Sequence, residues 1–487
     1  MMLPYSLKPL VAAVLVASLV AGCSLAPVYE RPEAPVPGSY GEEVVTDDDG
    51  DWVVSDLGWA EFFGDPRLKA YIELALENNR DLRIAVERVS EARAAYGISE
   101  SDRMPTIGAG ANAQSTRNPE NMRIGGPEGD SISRTYMAGI GLTAFEIDFF
   151  GRLKNLSEAA YERYLATTHA QRTVHINLVA QVAEAYFRYR TAQDLEGLME
   201  KTLASRKKSQ ELVQARYDNG VASALDVNQA RAQLQTVEAD LTAIERQKTR
   251  AWNALALLLG TTPPDDLPTA AEFGKKQLLS RLPAGLPSDL LDRRPDILAA
   301  EHELKAANAD IGAAKAAFFP NISLTGLLGF ASPQLGGLFS SSQRYWQFSP
   351  ELQVPIFGGG QQGGLDLAEA RKNISVAQYE KSIQAAFREV ADALAGEATY
   401  ANELNALRAL EDTSLEAVEL ARVRYETGVD SFLQVQTAEV NLYSTQQQFI
   451  RIGLESLLNR VELYKALGGG WHKETQPISS ESDEKND

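Results

Sequence analysis

Arg216-Tyr217-Asp218-Asn219-Gly220-Val221-Ala222-Ser223-Ala224-Leu225-Asp226 lies between two long proline-free runs. It returns 208 residues later as Arg424-Tyr425-Glu426-Thr427-Gly428-Val429-Asp430-Ser431-Phe432-Leu433-Gln434. The register holds without a gap on both sides. Upstream, Val182-Ala183-Glu184-Ala185 matches Val390-Ala391-Asp392-Ala393. Downstream, Ala230 matches Ala438, Leu234 matches Leu442, and Leu259-Gly260 matches Leu467-Gly468. A fixed offset over roughly 80 residues marks an internal duplication. Each copy reads as helix, tight turn, helix. Gly220 and Gly428 fall where a helix end needs a left-handed residue. Ser223 and Ser431 are then expected to cap the next helix, with Asp226 and Gln434 at the capping-box position.

The flanking runs fix the element lengths. From Gly151 to Thr262 there is no proline, and Arg152 to about Asp218 reads as one helix. At 1.5 Å per residue that helix is roughly 100 Å long. Leu178, Val182, Ala185, Tyr189, Ala192, Met199 and Leu203 recur on steps of 3 and 4, with Glu196 interrupting, as in a coiled-coil seam. A second proline-free run extends from Ile356 to Gln476.

Ahead of each long helix the chain repeats a second time, at an offset of 215: Asp81-Leu82 matches Asp296-Ile297, Ala92 matches Ala307, and Pro105-Thr106-Ile107 matches Pro320-Asn321-Ile322. A helix is expected from Asp65-Pro66 to about Arg103, then a strand from Thr106 to about Asn112. Tyr136, Ala138, Ile140, Leu142 and Ala144 alternate along the next strand, and the phase flips at Phe145, which indicates a bulge. In the second half, Ile322, Leu324, Gly326, Leu328 and Phe330 share one face. Trp346, Phe348, Pro350, Leu352, Val354 and Ile356 alternate with Gln347, Ser349, Glu351 and Gln353. Strands of about ten residues, apolar on one side and polar on the other, match the membrane β-barrel signature. The glycine-rich stretch Gly358 to Gly364 lacks the Lys-Ser/Thr ending of a phosphate loop and reads as a strand-to-helix bend.

The chain has 487 residues, is 44% hydrophobic and carries a net charge of −19. Nucleic-acid binding needs a basic footprint, so no nucleic-acid partner is expected. Cys23 is the single cysteine, which excludes an internal disulfide. The four histidines show no metal-ligand spacing, and no nucleophile-elbow motif occurs. No metal, cofactor or catalytic residue is expected.

Lys8, the apolar stretch Leu10 to Val20 and Val20-Ala21-Gly22-Cys23 form an export signal. The cysteine after Ala-Gly resembles the bacterial lipobox, which implies cleavage before Cys23 and acylation there. An ordinary signal peptide containing a cysteine gives the same residues. Ser24, in place of an aspartate, points to the outer membrane. The expected organisation is a signal peptide at 1–22, a lipidated extended surface segment at 23–64, a first repeat at 65–260, a proline-rich linker at 261–288, a second repeat at 289–470 and a disordered tail at 471–487.

Four strands cannot close a barrel, and an open sheet edge in lipid leaves N–H and C=O groups unpaired. Two copies would give a filled eight-stranded barrel; three would give twelve strands and room for water. The polar faces with Gln347, Ser349, Glu351 and Gln353 favour water inside.

Taken together, the duplicated Tyr-x-x-Gly-Val turn, Leu286-Pro-Ser-Asp-Leu-Leu-Asp-Arg-Arg-Pro-Asp-Ile, Ala313-Ala-Lys-Ala-Ala-Phe-Phe-Pro and Tyr464-Lys-Ala-Leu-Gly-Gly-Gly-Trp471 resemble the TolC superfamily. With the lipobox, the chain looks most like the OprM-type lipoproteins. The resemblance runs from Cys23 to Trp471. It implies a mainly α protein with a membrane β-barrel portion: long antiparallel helical hairpins forming an α-barrel, and four strands per protomer making a twelve-stranded barrel in a homotrimer. It implies a periplasmic adaptor (membrane fusion) protein and an inner-membrane RND-type transporter as partners, and drugs or similar small molecules as cargo. Residue by residue, it puts a constriction at Leu433, Gln434 and Thr437, where many relatives carry aspartates at the latter two positions. It implies a hydrogen bond between Asp226 and Tyr425 that locks the closed state. Gly220, Val221, Ser223, Gly428, Val429 and Ser431 are the expected adaptor-facing tips. Two other roles fit parts of the sequence: the outer-membrane channel of a type I protein secretion system, and an envelope-tethering coiled-coil lipoprotein, which leaves the strands unexplained.

Overall fold

Both proline-free runs become a long helix followed by a shorter partner. The structure, a computed structural model, describes residues 24–40, 54–123, 128, 130–264, 266–271, 277–279, 282 and 287–475. Cys23, the signal peptide and residues 41–53 lie outside the described residues. In chain order the elements are α1 (Trp59–Phe62), α2 (Pro66–Asn78), α3 (Arg80–Ser101), β1 (Ile107–Arg117), β2 (Ile132–Glu146), α4 (Arg152–Asp218), α5 (Ala224–Leu259), α6 (Pro287–Arg293), α7 (Pro295–Ala316), β3 (Asn321–Ser332), β4 (Arg344–Gln353), α8 (Gly360–Glu426) and α9 (Phe432–Ala466). Helices α4 and α8 are 67 residues each. Each half therefore runs helix, strand, strand, long helix, turn, helix. Among the described residues, no helix is long and apolar enough to cross a membrane.

The contacts divide the chain into two compact units. The first holds Val89–Thr167 and Ala299–Tyr379, together with described residues before Ala34. It contains one antiparallel sheet of order β1-β2-β3-β4. Its register makes one apolar face continuous across all four strands. Ala109 stands opposite Ile140, Ile140 opposite Leu328, and Leu328 opposite Trp346. One step along, Ile107, Leu142, Gly326 and Phe348 form the next row. These side chains are open: Ile107 is 72% exposed and Trp346 74%. The opposite face carries Asn112, Gln114, Thr325, Gln347, Ser349 and Glu351.

β1 extends to Arg117, five residues beyond the strand expected from sequence, because Ala113 to Arg117 pair in register with Ile132 to Tyr136. The bulge in β2 is present: the register shifts between Leu142 and Phe145, and Ala144 takes φ 48°. Its N–H finds Thr325 Oγ1 at 3.1 Å. A row of glycines crosses the polar face, Gly110 opposite Gly139 and Gly139 opposite Gly329. A Cβ on Gly329 would stand 2.2 Å from the Ala138 carbonyl oxygen. Only glycine permits that closeness between β2 and β3.

In the first unit, residues 24–33 form a strap without helix or strand. Ser24 Oγ donates to Asn155 Oδ1 at 2.7 Å, and Asn308 Nδ2 donates to the Pro27 carbonyl at 2.7 Å. Arg31 forks onto buried Glu301 at 3.2 and 2.8 Å, and the Tyr29 hydroxyl donates to the same carboxylate. Burial alone would raise the Glu301 carboxyl, but Arg31 and Lys305 hold it below its ordinary value.

The second unit has the larger core. Here the expectation of an extended surface segment through residue 64 fails. Trp59, Phe62 and Phe63 are almost wholly buried. Phe62 stacks on Tyr464 at 4.0 Å, and Tyr464 Oη donates to the Leu57 carbonyl at 2.6 Å. Residues 471–475 also depart from the expected disorder. The amides of Trp59 and Ala60 donate to the carbonyls of His472 and Lys473, which ties this stretch to α1. The helix expected from Pro66 to Arg103 is two helices. Asn79 breaks it: its Oδ1 accepts from the Leu82 amide at 3.0 Å and its Nδ2 donates to the Leu258 carbonyl at 2.9 Å. The Arg293-Arg294-Pro295-Asp296 motif joins three helices. Arg294 reaches Asp296 and Glu389 at 2.6 and 2.9 Å and donates to the Ala466 carbonyl at 2.9 Å.

Candidate functional site

The two duplicated turns have the same backbone. Gly220 donates to the Tyr217 carbonyl and Val221 to that of Arg216; Gly428 donates to Tyr425 and Val429 to Arg424. The glycines take φ 75° and 76°. This is the left-handed helix end that satisfies otherwise orphaned carbonyls. After the first turn, Ser223 caps α5 in a full capping box with Asp226. The second turn departs from expectation. Ser431 makes no side-chain cap, and the Gln434 amide donates to the Ser431 carbonyl at 3.1 Å instead. Arg424 instead clasps Asp430 at 2.5 and 3.1 Å and draws the Asp430 carboxyl below its ordinary value.

Val213, Val227, Ala230, Tyr425, Phe432 and Val435 bury one another and bring α4, α5, α8 and α9 together beneath the turns. The expected hydrogen bond between Asp226 and Tyr425 is not made. Asp226 Oδ2 is occupied by the Ser223 amide and hydroxyl, both at 2.9 Å. Tyr425 Oη is buried without a partner among the described residues. Its ring lies 5.5 Å from Phe432 and beneath the Arg216 guanidinium, whose carbon is 4.5 Å from the ring centroid. Tyr425 thus holds the tip by its ring.

Gly220, Val221, Ser223, Gly428, Val429 and Ser431 are all exposed. Val221 is 66% and Val429 62% exposed, so both turns present an apolar residue at their outermost point. Leu433, Gln434 and Thr437 are exposed together on one face of α9, opposite buried Phe432 and Val435. Thr437 lies one turn on from both, at i+4 from Leu433 and i+3 from Gln434, so it neighbours each.

Sequence reasoning missed a charge cluster just below the tip. Glu439 on α9 is buried, pairs with Arg206 of α4, and accepts from Arg422 of α8 at 3.1 and 2.6 Å. Burial, then Arg422, lowers the Arg206 guanidinium below its ordinary value. Beside the cluster opens a cavity of about 230 Å³ lined in part by Ser205, Lys208, Leu212, Arg422 and Phe432. The signal was in the spacing: Phe432, Val435, Glu439 and Leu442 follow steps of 3 and 4, and a charge on such a seam needs a buried partner.

The model of the outer membrane efflux protein family matches residues 71–261 and 286–469. The chain belongs to that family. Its two matched blocks flank the proline-rich stretch. Among curated members, the chain is 43% identical over 471 residues to the probable efflux pump outer membrane protein TtgC of Pseudomonas putida, covering 96% of this chain and 97% of the relative. It is 42% identical to outer membrane protein OprJ of Pseudomonas aeruginosa over 462 residues, 95% and 96% of the two chains. Among solved structures, the open-state MtrE outer membrane channel of Neisseria gonorrhoeae superposes with a TM-score of 0.84 at 36% identity, covering 93% of this chain and all of that one. The superposition on a Pseudomonas aeruginosa membrane protein gives 0.86 at 42% identity, covering 94% and 100%. As a member of the outer membrane efflux protein family with the TolC-type fold, the chain is an outer-membrane efflux channel, and its four-stranded sheet and paired long helices are that fold's parts.

Proposed function

We propose that three copies assemble into one pore of a tripartite efflux pump. One observation carries this reading. The sheet has an unbroken apolar face, a polar opposite face, and two edges, β1 and β4, that no other strand among the described residues pairs. In hydrocarbon such edges need strands, and like copies supply them in a closed ring. Twelve strands enclose a water-filled lumen lined by the polar face.

In this reading the mature chain begins at acylated Cys23, whose lipid sits in the outer membrane, and the repeats at 65–260 and 289–470 supply equal shares of the barrel and the helical conduit. Leu433, Gln434 and Thr437 form the constriction. The exposed valines of the two turns meet a periplasmic adaptor, which links the conduit to an inner-membrane RND-type transporter. The channel performs no chemistry and holds no cofactor. Relatives named as solvent, toluene and antibiotic efflux components support small organic molecules as cargo.

The test is functional. The chain is expressed with its adaptor and transporter in cells stripped of their own outer-membrane efflux channel. Accumulation of a fluorescent dye and the toxicity of toluene should both fall. Unchanged accumulation, with the chain assembled in the outer membrane, would overturn the reading. Photocrosslinkers at Ser223 and Ser431 should capture the adaptor.

A further inference from the structure

The two copies of the hairpin have diverged in charge. At the 208-residue offset, Asp226, Glu238 and Asp240 of α5 correspond to Gln434, Gln446 and Gln448 of α9. At each of these positions the second copy has a glutamine, which can hydrogen-bond but carries no charge. From Phe432 to Ile450, Glu439 is the one charged side chain. It is buried and neutralised by Arg206 and Arg422. Charge returns to the exposed surface only at Arg451 and Glu455. This happens in a protein whose net charge is −19.

Exposure shows which face has been cleared. Leu433, Gln434, Thr437, Val440, Asn441, Ser444 and Gln448 are exposed. At 100° per residue they occupy an arc of about 120°. Phe432, Val435 and Glu439 lie on the opposite side and are buried. Below Leu433 the arc is almost entirely amide and hydroxyl.

Rings of charged side chains are how pores sort ions by sign, because a fixed charge repeated by symmetry acts at close quarters. An amide and hydroxyl wall stays wetted and has no such field. Resting on the channel reading above, we propose that this arc of α9 is the pore wall at the tip. It selects by size and hydrogen bonding and is indifferent to the sign of the permeant's charge, so cationic, anionic and neutral organic molecules share one route.

The experiment uses the full chain in planar bilayers under a KCl gradient. The K⁺ to Cl⁻ permeability ratio should lie within about twofold of unity. Thr437→Asp should raise it about tenfold, and Asn441→Asp, one turn further along the same arc, should raise it as well. In parallel, Thr437→Cys is treated with a charged thiol reagent, which should reduce conductance while leaving the wild type unaffected. Block at residue 437 with a strongly cation-selective wild type overturns this proposal and leaves the channel reading intact. Absence of block removes α9 from the pore wall and overturns the proposal too. A wild type that never conducts overturns the channel reading itself.

Discussion

Tyr425 meets Arg216 and Phe432 with its ring and offers its hydroxyl to no described partner. Tyr425→Phe should therefore leave thermal stability within about 1 kcal/mol of wild type, whereas Tyr425→Ala removes the ring and should cost about 3 kcal/mol or more. Single-channel conductance should follow the same order, unchanged for Phe and raised for Ala. Such a contact was half legible: sequence flagged Tyr425 and Asp226, but not that Ser223 would occupy the carboxylate first. His175 gives the pH dependence. It is half-buried against Trp471, and desolvation, then His472, lowers it from 6.5 to about 4. The unfolded chain takes up this proton below about 6.5, the folded chain only below about 4. The contribution is thus complete above pH 6.5, declines as pH falls and is gone below about 4; it amounts to about 3 kcal/mol. Melting temperature should drop between pH 7.5 and 5, and His175→Phe should flatten that slope. An unaltered slope in the variant would remove His175 from the explanation.

Glu439 ties α9 to α4 and α8. Glu439→Gln leaves Arg206 buried without its counter-charge, at a cost of about 3–5 kcal/mol. Replacing Glu439 together with Arg206 and Arg422 by leucine or methionine should recover most of that loss, read by denaturant melts of both variants. In the sheet, Gly329→Val pushes side-chain atoms into the Ala138 carbonyl and should reduce the yield of assembled protein, while Gly337→Val, in open space, should not. Elements set by local rules were plain in the sequence. Proline-free runs gave α4 to its last residue, the phase flip at Phe145 gave the bulge, and alternation gave β4 but carried it past its end at Gln353 to Val354 and Ile356. Elements set by distant partners were hidden. Asn79 splits a helix only because Leu258 waits across the unit, and Trp59, Phe62 and Phe63 are core only because Tyr464, some 400 residues away, stacks on Phe62.

At the scale of the molecule, duplication explains why one chain holds two hairpins and four strands, and in the proposed trimer the edges of β1 and β4, unpaired among the described residues, are where copies join. Family, fold and channel role were readable from repeats, strand pattern and terminal motifs. The charge cluster at Glu439 was not read, because a buried ion pair joins helices far apart in sequence. The claim on which the account rests is that the sheet closes only in company. The most direct measurement is the mass of the full chain purified from outer membranes in mild detergent, by native mass spectrometry or light scattering with the detergent contribution subtracted. The account predicts three copies, with no stable single-copy species carrying folded sheet. A monodisperse single copy with its β-structure intact would contradict it.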